Sequence, residues 1–91
     1  MDWDGLPGWE LVEQGMADLR DGAESVPALL VAIGAPRLRR LGIEVPGPEI
    51  PDPEHRLYLA LSADEPNSAH SRYNALLRRL VSFERAAECV R

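Results

Sequence analysis

Apolar residues in the last third of the chain recur at helical spacing. Between residues 67 and 90 they are separated alternately by four and three positions, which is the period of one face of an α-helix. Strand alternation fails there, because Leu76, Arg78 and Leu80 would share one face. The pattern predicts a long amphipathic helix, widened at Leu77 and Val81, whose apolar seam consists of Ala69, Tyr73, Leu76, Leu80, Phe83, Ala87 and Val90.

A shorter amphipathic pattern occupies residues 7–21. Pro7 suits the first turn of a helix and Gly22 suits the position after its last turn. Gly15 lies inside this predicted helix, where a glycine costs about 1 kcal/mol relative to alanine. Either the helix is weak or another backbone approaches it closely at Gly15. Its apolar face consists of Trp9, Val12, Met16 and Leu19.

The middle of the chain predicts short helices separated by residues that break them. An apolar run follows Ser25, a suitable N-cap, and predicts a short and largely buried helix. Gly34 and Pro36 predict an interruption, followed by a second short helical turn with Gly42 as its left-handed C′ residue. Residues 44–53 contain four prolines and predict a stiff, extended connector.

After the connector, Asp52 as N-cap and Pro53 in the first turn predict a helix of about ten residues. The predicted segments make an all-α domain: a small helical bundle of four to five helices, with residues 1–91 forming a single domain. Residues 1–6 are predicted to be a flexible N-terminal arm. Trp3 in this arm either docks on the core, anchors a partner or stays mobile, and the sequence does not distinguish these alternatives.

Charge is distributed unevenly along the chain. Residues 1–25 hold seven acids and one arginine, whereas residues 26–91 hold eight acids and nine arginines. We therefore expect the acidic first helix to face arginines of the last helix. The overall charge of −5 favours solubility and argues against a nucleic-acid partner. All ten basic residues are arginine, a bias that we attribute to a GC-rich, bacterial genome.

Three features of the sequence bear on the cellular compartment of the protein. No run of about 18 apolar residues is present, and the acidic start of the chain lacks the basic and apolar regions of a secretory signal. Cys89 is the single cysteine and cannot form an internal disulfide. The sequence therefore predicts a cytoplasmic protein with no membrane partner.

His70, Tyr73 and Asn74 form the strongest polar cluster. His70 and Asn74 lie one helical turn apart, beside the apolar seam of the last helix. We interpret them as partly buried, hydrogen-bonded residues at the border of an apolar face. The alternative is a ligand-binding or catalytic site in which Tyr73 takes part and to which His55 is added.

Other catalytic or metal-binding sets are not predicted. The histidines lack the spacing of metal ligands on one helix. In a helix Ser71 points about 100° away from His70, and Cys89 lies far from a helix amino terminus that would lower its thiol pKa. The sequence therefore predicts no metal and no cofactor, it favours a protein that is not an enzyme, and no motif identifies a known family.

The densest basic cluster consists of Arg37, Arg39 and Arg40. Three charges in a chain with net charge −5 attract phosphate only weakly and in a strongly salt-dependent manner. A solvated face, or salt bridges to the acidic first helix, is the preferred interpretation. A nucleic-acid-binding regulator ranks third among the functional hypotheses.

The sequence favours a non-enzymatic interaction or regulatory module that acts as a homo-oligomer, with a dimer preferred over higher states. The last helix is longer than the others, so its apolar seam exceeds what they can cover. In the alternative interpretation, the whole apolar stripe belongs to the intramolecular core. Binding to an unknown protein partner is a further alternative. The predicted interface residues are Tyr73, Leu76, Leu77, Leu80, Val81, Phe83 and Ala87.

Overall fold

A computed structural model describes residues 3–90. This part of the chain forms four α-helices and contains no strand, so the predicted all-α bundle is confirmed. A short 3-10 turn, Pro66–Ser68, precedes the last helix. The helices are α1 (Trp9–Arg20), α2 (Val26–Arg40), α3 (Pro53–Asp64) and α4 (Ala69–Val90).

Helix α2 lies at the centre and packs against the other three helices. Its start is fixed by Ser25, whose side-chain oxygen accepts a hydrogen bond from the Ala28 backbone N–H at 3.1 Å. The Ser25 hydroxyl in turn donates to the Asp18 carboxylate of α1. Because α2 contacts three helices, it is buried on several sides, which explains its continuous apolar run. The buried residues of α2 are Ala28, Leu29, Leu30, Val31, Gly34, Ala35 and Leu38.

The prediction that Gly34 and Pro36 divide this segment into two helices is wrong, because α2 continues through both residues. A proline inside a helix costs about 3 kcal/mol. Leu38 and Leu41 follow Pro36 and are buried, and burial of each leucine contributes about 1.5–3 kcal/mol. Tertiary packing beyond the proline therefore outweighs the local cost.

Gly15 lies where the backbones of α1 and α2 approach each other closely. A Cβ atom at this position would lie 2.3 Å from the Pro27 carbonyl oxygen and 2.4 Å from a methyl carbon of Val31. Only a glycine allows the two backbones to touch there. Of the two explanations offered for this mid-helix glycine, the structure shows the close approach.

Gly22 and Gly42 end α1 and α2 as predicted, each with a left-handed backbone (φ 78° and 93°). After Gly42 the Ile43 N–H donates to the Leu38 carbonyl at 3.0 Å, which folds the chain back onto the core. Asp52 precedes α3 as predicted, but its backbone is left-handed and its side chain forms no capping hydrogen bond.

Phe83 of α4 joins the N-terminal segment to the core. Its fully buried side chain stacks on the Trp9 ring at 5.7 Å between centroids and meets the edge of the Trp3 ring at 6.0 Å. Leu6 also packs against the core. Residues 3–6 therefore differ from the flexible arm expected over residues 1–6, since Trp3 docks on the core; residues 1 and 2 lie outside the described part of the chain.

Replacing Gly15 with alanine is expected to lower the free energy of unfolding by about 3 kcal/mol, because the new methyl group must displace the backbone at Pro27. The matched control is Gly34→Ala. Its Cβ would meet only side-chain ends, at 3.0 Å from Leu80 and 3.1 Å from Glu84, and alanine adds helix propensity of about 1 kcal/mol. Urea denaturation measures both variants, and wild-type stability of Gly15→Ala would contradict the backbone contact.

Candidate interaction surfaces

His70 and Asn74 form a hydrogen-bonded pair on α4. The Asn74 Nδ2 and His70 Nε2 atoms are 3.2 Å apart, with His70 exposed and Asn74 half-buried. The Tyr73 ring instead packs edge-on against the Tyr58 ring of α3, with 5.7 Å between the centroids. His55 lies in a separate shallow groove of α3 with Leu59 and Glu24. The side chains proposed as a catalytic or ligand site are therefore divided among different contacts.

The clustered arginines of α2 lie on two sides of the helix. Arg37 faces α4, where its guanidinium is 2.8 Å from the Glu88 carboxylate and 3.4 Å from that of Glu84. Arg39 points toward the connector and its Nη2 lies 3.5 Å from the Val45 carbonyl oxygen. Residues two positions apart on a helix are rotated by about 200°, so Arg37 and Arg39 do not form one phosphate-binding patch.

Glu84 is a buried carboxylate that the sequence analysis missed. It lies on α4 with only 4 % of its surface exposed, in space left by the absent side chain of Gly34 on α2. Burial raises the pKa of Glu84 above its ordinary value of 4.5; the guanidinium of Arg37 opposes this rise and the carboxylate of Glu88 adds to it. The sequence did contain a signal for the burial of Glu84, because Leu77, Val81 and Glu84 recur at helical spacing and therefore lie on one stripe of α4.

The expected contact between the acidic first helix and an arginine of the last helix is present within the chain. The Arg79 guanidinium forms a salt bridge with the Glu10 carboxylate, joining α4 to α1. Both side chains are largely exposed, so this pair contributes only about 0–1 kcal/mol. Further ion pairs among residues 3–90 join Arg56 to Glu24, Arg72 to Asp64, and Arg37 to Glu84 and Glu88.

The structure removes three residues from the predicted interface. Leu80, Phe83 and Ala87 are 4 %, 0 % and 0 % exposed in the single chain, because they pack into its own core. They have no surface left to bury against a second molecule. The other predicted interface residues are half-buried and keep accessible area: Tyr73, Leu76, Leu77 and Val81.

An open groove runs along the outer face of α4 and is called the α4 groove here. In a helix pair, each inserted side chain occupies a hole formed by four residues of the facing helix, at positions i, i+3, i+4 and i+7. The α4 groove contains two such sets in succession, 74-77-78-81 and 78-81-82-85. Its lining residues are Asn74, Leu77, Arg78, Val81, Ser82 and Arg85.

Arg78 and Arg85 give the α4 groove a basic rim. Both side chains are exposed, and neither forms an ion pair with any of residues 3–90.

Among residues 3–90, no group of three or more histidine, cysteine or acidic side chains is arranged to hold a metal ion. No helix in the described range has the length and apolarity needed to cross a membrane.

Comparison of the chain with protein-family models, with curated proteins and with solved structures finds no match.

Because the native protein holds the Glu84 proton more tightly than the unfolded chain does, the contribution of Glu84 to stability is largest below pH 4.5 and is lost as the pH rises through its raised pKa. As the pH rises through this range, we expect the free energy of unfolding of the wild type to fall relative to that of Glu84→Gln. Urea denaturation at a series of pH values measures it. Glu13→Gln is the control, because Glu13 is exposed and forms no ion pair with residues 3–90; a stability difference between wild type and Glu84→Gln that is flat with pH would contradict the raised pKa.

Proposed function

We propose that this chain is a non-enzymatic helical interaction module that acts as a homodimer in the bacterial cytoplasm. The observation that carries the proposal is the α4 groove, which combines holes for the side chains of a facing helix with two apolar residues on an otherwise polar helix face. Leu77 and Val81 line the groove and are only half-buried. Packing a helix on this face would remove the remaining apolar surface from water.

A second copy of α4 supplies a suitable helix. Leu77 and Val81 are four positions apart, so an antiparallel pair with its two-fold axis midway between them sets Leu77 of each copy against Val81 of the other. Tyr73 and Arg85 are also equally distant from this axis. The pairing would therefore bring each Arg85 guanidinium toward the Tyr73 ring of the other copy, which is a favourable cation–π combination.

Charge places one constraint on this arrangement. Arg78 lies next to the proposed axis, where two like charges would approach each other. The side chain of Arg78 is exposed. Its long apolar stem allows the guanidinium to extend into solvent while the stem covers the apolar pair formed by Leu77 and Val81.

The division of Arg37 and Arg39 between two sides of α2 gives the nucleic-acid hypothesis less support than the sequence did.

Light scattering at a protein concentration of about 0.1 mM tests the dimer, because standard interfaces have dissociation constants in the micromolar range or below. The wild type is expected at twice the chain mass of 10.1 kDa. Val81→Glu and Ser82→Arg, which place a charge or a bulky side chain in the α4 groove, are expected to be monomeric and still helical by circular dichroism.

Leu59→Glu is the matched control for these variants. Leu59 is 53 % exposed on α3, outside the α4 groove, so this variant is expected to remain dimeric. A wild-type mass of one chain at about 0.1 mM would refute the proposed dimer. Dimers that persist in both groove variants would place the interface elsewhere on the molecule.

A further inference from the structure

A cavity of about 270 Å³ lies between α2 and the connector, on a different part of the molecule from the α4 groove. Its size is just below the range of about 300–1,000 Å³ for pockets that hold drug-sized ligands, so it suits a smaller molecule. The apolar part of its lining includes Ile33 from α2 and Val45 and Ile50 from the connector. Such walls suit a branched or aromatic hydrocarbon group.

The cavity is stiffened by proline. Pro46 and Pro48 of the connector and Pro53 of α3 line it, together with Pro36 of α2. Each proline ring fixes one backbone torsion angle, so the connector loses little conformational freedom when a ligand binds. A cavity that is formed before binding favours affinity because the cost of ordering its walls is already met in folding.

Pro36 also changes the hydrogen bonding of the wall. A proline has no N–H, so the Ala32 carbonyl lacks the donor that it would have four residues later in a regular helix. Ala32 and Pro36 both line the cavity. The break in the helical hydrogen-bond ladder therefore lies at this wall.

The cavity residues carry both signs of charge. Arg39 lines the cavity, and its one observed hydrogen bond, to the Val45 carbonyl at 3.5 Å, leaves other guanidinium N–H groups available. Glu49 and Glu54 line it as well. None of these three side chains forms a salt bridge with residues 3–90. A ligand with one anionic and one cationic group is complementary to this set.

From these observations we propose that the cavity binds a free apolar α-amino acid of about the size of leucine. The carboxylate pairs with the Arg39 guanidinium, and the ammonium group binds the carboxylates of Glu49 and Glu54. The hydrocarbon side chain occupies the space between Ile33 and the connector. This assignment is independent of dimer formation through the α4 groove.

Titration of ¹⁵N-labelled protein with L-leucine, followed by two-dimensional NMR, tests the site directly. The amide signals of Ile33, Val45 and Ile50 are expected to shift and saturate with a dissociation constant of about 1 mM. Isocaproate lacks the ammonium group and leucine methyl ester lacks the carboxylate. Each is expected to bind about tenfold more weakly, since each loses a charge-assisted hydrogen-bonded contact.

Arg39→Gln is expected to weaken leucine binding about tenfold and to abolish the difference between leucine and its methyl ester. Arg40→Gln is the matched control, because Arg40 is the exposed neighbour of Arg39 and does not line the cavity; it is expected to bind as the wild type does. The proposal is overturned if leucine at about 20 mM causes no shifts around the cavity. Unchanged affinity in Arg39→Gln, or equal affinity for leucine and its ester, overturns it as well.

Discussion

The backbone contact between α1 and α2 at Gly15 is the constraint on which the rest of the bundle depends. A hydrogen atom is the only substituent that fits there, because a Cβ would lie 2.3 Å from a carbonyl oxygen. Helix α2 is also the element that α3 and α4 pack against, so a displacement at Gly15 would move their common support. Gly34 also lies at a helix contact, on another side of α2, but the atoms nearest to a Cβ there would be side-chain ends of Leu80 and Glu84.

The fold could largely be predicted because its strongest signals are local. The apolar seam of α4 has helical spacing over its whole length, and Gly22 and Gly42 occupy left-handed positions after two helices. The continuity of α2 through Pro36 could not be predicted in the same way. Its local cost is visible in the sequence, whereas the compensating burial of Leu38 and Leu41 depends on residues contributed by other elements.

The candidate surfaces were harder to predict because rotation about a helix separates neighbours in sequence. Arg37 and Arg39 reach opposite sides of α2 for this reason, one toward Glu88 and the other toward the connector. Helical spacing also places Leu80 in the core and Val81 on the outer face, although both belong to one apolar stripe. The proline-lined cavity has no sequence signature, since its walls come from α1, α2, α3 and the connector.

The aromatic contact around Phe83 has a spectroscopic consequence. The chain contains two tryptophans, and both rings pack against Phe83. The indole N–H of Trp9 is buried without a hydrogen-bond acceptor among the described residues, which is an environment that shifts indole emission to shorter wavelength. Intrinsic fluorescence of this protein therefore reports how residues 3–9 sit on α4, while circular dichroism reports the helices as a whole, so the two signals separate undocking of the N-terminal segment from global unfolding.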